Sequence, residues 1–131
     1  MMRTRSLPVG ELIIKAALDH YLKGVKVLLV APGKLPVEPT VYLKRTGGVA
    51  ASPGEVDQGT YQFRVFGGRF SEAAELGQAL RDALYAAEAA QFSTAKGRMG
   101  KVTEISAPSP LTQENEGSPF VRYATYNVIT R

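Results

Sequence analysis

The sequence predicts an α+β fold: one domain in which a mainly antiparallel β-sheet packs against two α-helices, with long loops between elements. Three observations lead there. Two segments repeat apolar residues at helical spacing, and five shorter ones are β-rich or alternate apolar with polar residues. The elements run helix, three strands, helix, two strands. Each helix is apolar on one side only, so both can lie on a sheet.

The first helix is predicted in "SLPVGELIIKAALDHYLKG" (6–24). Ser6 can cap it, Pro8 is tolerated in a first turn, and Gly24 is a natural stop. Ile14, Ala17, Leu18, Tyr21 and Leu22 fall on one stripe. "VKVLLV" (25–30) is short and β-rich, a strand. "APGKLPVEP" (31–39) then holds three prolines and a glycine in nine residues, which forbids a regular element. "TVYLKRTGG" (40–48) sets Val41 and Leu43 against Tyr42 and Lys44 and reads as the second strand. "VAASPGEVDQG" (49–59) reads as a polar loop. "TYQFRVFGG" (60–68) is the third strand, with Tyr61, Phe63 and Val65 on one face.

The second helix is predicted from Ser71, a favourable N-cap, with Glu72 and Glu75 placing negative charge where the helix dipole favours it. Ala73, Leu76, Leu80, Ala83, Leu84 and Ala87 make one apolar stripe, while Glu75, Gln78 and Asp82 lie opposite. Gly77 costs about 1 kcal/mol against Ala inside a helix. Close approach of helix to sheet is the expected compensation. "MGKVTEISA" (99–107) and "FVRYATYNVIT" (120–130) are the last two strands, and the Pro-rich "PSPLTQENEGSP" (108–119) joins them.

Composition bounds the function classes. The 131 residues suit a single domain over 1–131 with one real core. Hydrophobic residues at 44% and charged residues at 21% are ordinary for a globular chain. No apolar run approaches the ~18 residues of a membrane span, and the first residues lack the pattern of a secretory signal. With no Cys there is no disulfide framework, thiolate site or Cys nucleophile. The net charge of +4 is uneven: residues 1–48 carry eight Lys/Arg against three acids, and residues 49–131 eight against nine. The basic first third could meet nucleic acid or an acidic protein, but its charges are scattered singly, as on a solvated face.

No constellation carries chemistry. "VFGGRFS" places a glycine pair between strand and helix, where phosphate loops occur. Yet Gly67-Gly68 fits neither G-x-G-x-x-G nor G-x-x-x-x-G-K-S/T, so the pair reads as a turn that projects Arg69 and Phe70. His20 is the one histidine, with no G-x-S-x-G elbow to accompany it. The carboxylate pairs Glu55/Asp57 and Glu114/Glu116 fall in polar loops. No Cys/His spacing suits zinc, so the residues predict neither a metal nor a cofactor, and no enzyme. Tyr and Phe concentrate on strands with Lys44, Arg64 and Arg122 among them. That mixture occurs on single-strand nucleic-acid platforms, but core packing explains strand aromatics more simply.

The whole arrangement resembles the tail terminator (tail completion) proteins of long-tailed, siphovirus-like bacteriophages. The resemblance rests on an N-terminal helix, a Pro-rich crossing, "VYLKRTGG", a polar loop with Asp57, "YQFRVFGGRFSEAAELGQALRDAL" and a closing "VRYATYNVITR". It runs over about residues 12–131. The chain departs from many relatives at "FGGRF" and in the longer segment 92–101. The resemblance implies a virion structural protein that forms a ring, typically a hexamer, on the head-proximal end of the tail tube. Such a ring stops tube polymerisation and presents a joining surface to neck proteins. Its partners would be copies of itself, the major tail tube protein and neck or head-completion proteins, with genomic DNA passing through the lumen without specific binding. Subunit or tube contacts are expected at Asp57, Gln58, Gly67, Gly68, Arg69 and Phe70. Two other readings stay open here: a neighbouring neck or head-tail connector protein, and a basic nucleic-acid-binding module.

Overall fold

A computed structural model describes residues 9–34, 36–51, 56–110 and 120–131. In chain order the elements are α1 (Gly10–Tyr21), β1 (Lys26–Leu28), β2 (Thr40–Ala51), β3 (Val56–Gly67), α2 (Phe70–Ala89), β4 (Ser93–Thr94), β5 (Gly97–Pro110) and β6 (Phe120–Thr130). The strands form one curled, six-stranded sheet in the order β1-β2-β3-β6-β5-β4. Only β1 and β2 pair parallel; the other pairings are antiparallel. The fold is single-domain α+β and mostly sheet, as the sequence predicts.

Both helices lie on one face of the sheet. The α1 stripe buries Ile13, Ile14, Ala17 and Leu18, and Gly24 turns the chain at a φ of 78°. Described from Val9 onward, α1 begins without a side-chain cap; Ser6 and Pro8 lie outside the described residues. The predicted α2 stripe is buried throughout, together with Gly77. A Cβ on Gly77 would stand 3.0 Å from Pro108 Cβ, so the glycine does let the helix approach the sheet, at β5. Against these helices the strands present Val41, Leu43, Tyr61, Phe63, Val65, Ala124, Tyr126 and Val128. Phe63 and Tyr126 meet edge to face at 5.7 Å, a favourable ring geometry at the centre of the core.

Several sequence expectations need correction. The polar loop expected over 49–59 is strand at both ends: β2 continues to Ala51 and β3 starts at Val56, while 52–55 lie outside the described residues. The register shifts between Arg45 and Gly47, so the bulge falls at Thr46, and Gly47 and Gly48 stay paired with Thr60 and Gly59 and do not end the strand. Gly48 follows at a φ of 120° with its Cα packed on the β3 backbone, where a side chain has no room. Strand β6 then runs beside β3 as far as the pair Asp57↔Thr130 and satisfies its backbone, whatever the polarity of the side chains. Helix α2 is capped by Arg69 in extended conformation, not by Ser71, which sits within the first turn. The strand predicted at 25–30 shrinks to three residues. The one at 99–107 grows to Gly97–Pro110, and β4 adds a two-residue hairpin partner. Of the segment 108–119, residues 111–119 lie outside the described set.

Candidate functional site

The expected contact residues fall at opposite ends of β3. Asp57 and Gln58 open the strand and Gly67 closes it, roughly 30 Å apart at the rise of an extended chain. Asp57 therefore does not adjoin Arg69.

At the Asp57 end the carboxylate is buried and held by Arg45. Nη2 donates to Oδ1 at 2.8 Å, Nη1 donates to Oδ2, and Nε donates to the Gly47 carbonyl at 3.1 Å. This two-pronged bond raises the Arg45 pKa further and ties the bulge of β2 to the start of β3. The Arg45 guanidinium also lies 5.9 Å from the centre of the Tyr61 ring. Burial pushes the Tyr61 hydroxyl up to about 12, and its oxygen has no hydrogen-bond partner among the described residues. Gln58 points to the other side of the sheet and is exposed.

At the Gly67 end, the turn is built by close contact. A Cβ on Gly67 would come 2.5 Å from the Ala73 amide nitrogen, so only glycine lets the strand run this close to the first turn of α2. Gly68 donates its amide to Glu72 Oε2 at 3.1 Å. The place an anion would take at this helix start is thus filled by the chain's own carboxylate. The Arg69 side chain is 82% exposed, with Nε 4.0 Å from Glu72. Phe70 is 56% exposed and lies 4.9 Å beneath the Arg122 guanidinium.

The other polar groups facing the helices also serve the fold. Glu104 accepts from Arg81 Nη2 at 2.8 Å and from the buried Tyr126 hydroxyl at 3.0 Å, while Glu88 accepts from the Val102 amide at 2.8 Å. The bonds of Glu104 to Arg81 and of Glu88 to Val102 fasten α2 to β5, while burial first and the bond to Glu104 second raise the Tyr126 pKa. His20 stacks with Tyr21 and Phe92 at the end of α1. Glu55, Glu114 and Glu116 lie outside the described residues. Among the described residues no group of three or more His, Cys, Asp or Glu could hold a metal, and no helix is long and apolar enough to cross a membrane.

The face of the sheet away from the helices was not anticipated. Core packing does account for Tyr61, Phe63 and Tyr126, but Tyr42 and Tyr123 stand on the opposite side. They are cross-strand neighbours of Arg64, whose guanidinium lies 5.8 Å and 5.6 Å from their ring centres. Lys44, Gln62 and Thr125 form the next row, and Thr60 donates to Asn127 Oδ1 at 2.8 Å in the row after. Beyond it a hollow of about 320 Å³ is bordered by Val49, Gln58, Lys101 and Ile129. The alternation of Tyr42 and Lys44 with Val41 and Leu43 held the signal; the aromatics on β3 and β6 hid it by occupying both faces.

Comparison with curated proteins finds no match. A sequence model of the family described as "Phage tail termination protein" matches residues 6–131, nearly the whole chain. That family comprises structural proteins of the phage virion tail that interact with other tail components. With a match of this extent, laid over a fold whose elements all lie within it, the chain belongs to the phage tail termination protein family.

Proposed function

We infer that this chain terminates the tail tube by closing into a ring, expected to contain six copies, on its head-proximal end. There it stops addition of further tube subunits and offers the surface to which neck proteins join. Genomic DNA passes through the lumen without specific binding. The observation that carries this reading is the family match over residues 6–131. The disposition of charge supports a structural and non-catalytic role. The acids Asp57, Glu88 and Glu104 are each engaged in bonds between elements of the fold. Such groups rigidify a subunit, and none is poised against a nucleophile or a cleft.

The Pro-rich connection between β1 and β2 supports the same reading. It carries Val30 and Val37 at about 80% exposure, apolar side chains open to contact with a neighbouring subunit. Tail assembly with and without the chain tests the function. Tubes made without it should grow to uncontrolled length and fail to join heads, and added purified chain should restore both properties. Tubes of defined length that join heads in its absence would overturn the reading.

A further inference from the structure

Charge in this molecule is sorted by layer. The six strands carry seven Lys/Arg against two acids, Asp57 and Glu104, and both of these face the helices and are paired with arginine. The two helices carry six acids against two Lys/Arg. The open sheet face therefore presents Lys44, Arg64 and Lys101 with no acid beside them, and none of the three has an ion-pair partner among the described residues. On the far side of the molecule, Glu75, Gln78 and Asp82 line the outer face of α2. All three are exposed, and Glu75 has no ion-pair partner among the described residues. One chain thus carries two complementary surfaces on opposite sides.

We propose that the open sheet face of one copy docks the outer face of α2 of the next. This rests on the ring proposed above and names its subunit contact. A contact between two different surfaces of the same chain is head to tail, and head-to-tail contacts close into rings when the rotation per subunit allows. Arg64 suits the centre of such a contact. Held between two tyrosine rings with its Nε buried, it has already lost most of the side-chain freedom that docking would otherwise cost. A planar guanidinium fixed in this way fits a carboxylate side by side.

DNA is the competing occupant of a basic face. In a ring, however, every copy would present these cations to the duplex. Six or more phosphate contacts around the ring would act together and hold the duplex by released counterions, more strongly the lower the salt. That is the wrong property for a channel through which DNA must slide.

The natural absence of cysteine makes a direct test simple. Lys44→Cys combined with Glu75→Cys places thiols on opposite layers, too far apart to join within one chain. Mild oxidation of this variant assembled on tail tubes should give a ladder of covalent oligomers ending at the ring, while either single variant gives at most dimers. Lys44→Glu with Lys101→Glu should weaken ring association at least tenfold by native mass measurement, and adding Glu75→Lys with Asp82→Lys should restore it. All four positions are exposed, so thermal melting of each variant should match the parent. A ring that forms normally in the charge-reversed chain, without cross-links in the cysteine pair, overturns this contact and leaves the ring itself standing. Salt-dependent binding of duplex DNA that Lys44→Glu with Lys101→Glu abolishes, with ring mass unchanged, assigns the face to DNA and overturns it as well. If the parent chain forms no ring even on tubes, the ring fails and this contact with it.

Discussion

The two faces of the sheet are made from the same strands, residue by residue in alternation, yet they follow opposite rules. On the helix side, Asp57 and Glu104 each meet an arginine, Tyr126 donates to Glu104, and the apolar residues between them are buried. On the open side, Arg64 lies between tyrosine rings, and Arg64, Lys44 and Lys101 have no ion-pair partner among the described residues. A buried charge without a partner is expensive, so the inner face must be balanced within the chain. A solvated charge costs little to leave unpaired, so the outer face is free to be balanced by something else. The period of two along each strand lets a single sequence encode both.

If the inner face carries the fold, its truncation should have the largest effect. Leu80 is fully buried on α2, and Leu80→Ala should cost about 2–5 kcal/mol by chemical denaturation, the lost transfer term plus a cavity. Asp57→Ala should cost about 2–3 kcal/mol, because the carboxylate is buried while its partner Arg45 stays partly in water once unpaired. A loss below 0.5 kcal/mol would mean that the pair is not part of the core. Gly67→Ala should cost about 1–3 kcal/mol, since the added methyl meets backbone of α2 that cannot step aside as a flexible side chain would.

Tyr61 tests the inner face differently. Its hydroxyl is buried without a hydrogen bond among the described residues, so Tyr61→Phe should be within about 1 kcal/mol of neutral or should stabilise. Burial raises its pKa from the ordinary 10 to about 12. Between those values the unfolded chain has lost this proton and the folded chain keeps it. Stability is therefore full below pH 10 and falls as pH rises from 10 towards 12. Tyr126, also raised, adds in the same direction. Melting followed from pH 9 to pH 12 should show a shallower fall for Tyr61→Phe than for the parent.

The outer face should give the smallest effects on stability and the largest on assembly. Arg69→Glu is the same kind of probe at the α2 turn: the side chain is mostly solvated, so melting should shift by no more than about 0.5 kcal/mol equivalent. We expect that variant to fold normally yet yield tails of uncontrolled length or tails without heads, as judged by electron microscopy of lysates. A melting point several degrees lower would place Arg69 with the fold.

How much of this was legible beforehand follows from which signals are periodic. The apolar stripe of α2, the Tyr61-Phe63-Val65 face and the 120–130 strand are repeats, and repeats survive in a single sequence. The long arm of β2 and β3 was not legible. Its residues are mostly small or polar, and what makes them strands is pairing of β2 with β3 and of β3 with β6, the latter some 70 residues away in the chain. The glycine pair at 47–48 reads locally as a stop, and only the partner strand shows that it continues the ladder past a bulge at Thr46. The open face was missed for a related reason: Tyr42 and Tyr123 look like core residues until strand register shows which side they share with Arg64.

Capping of one end of the tail tube by a closed ring of this chain can be observed directly. Electron cryomicroscopy of tail tubes assembled with the purified chain tests it most directly. One ring of a single rotational symmetry is expected on the head-proximal end of each tube, with none along its length or at the other end. Tubes decorated along their sides, or bare at both ends with the chain left monomeric in solution, would contradict it.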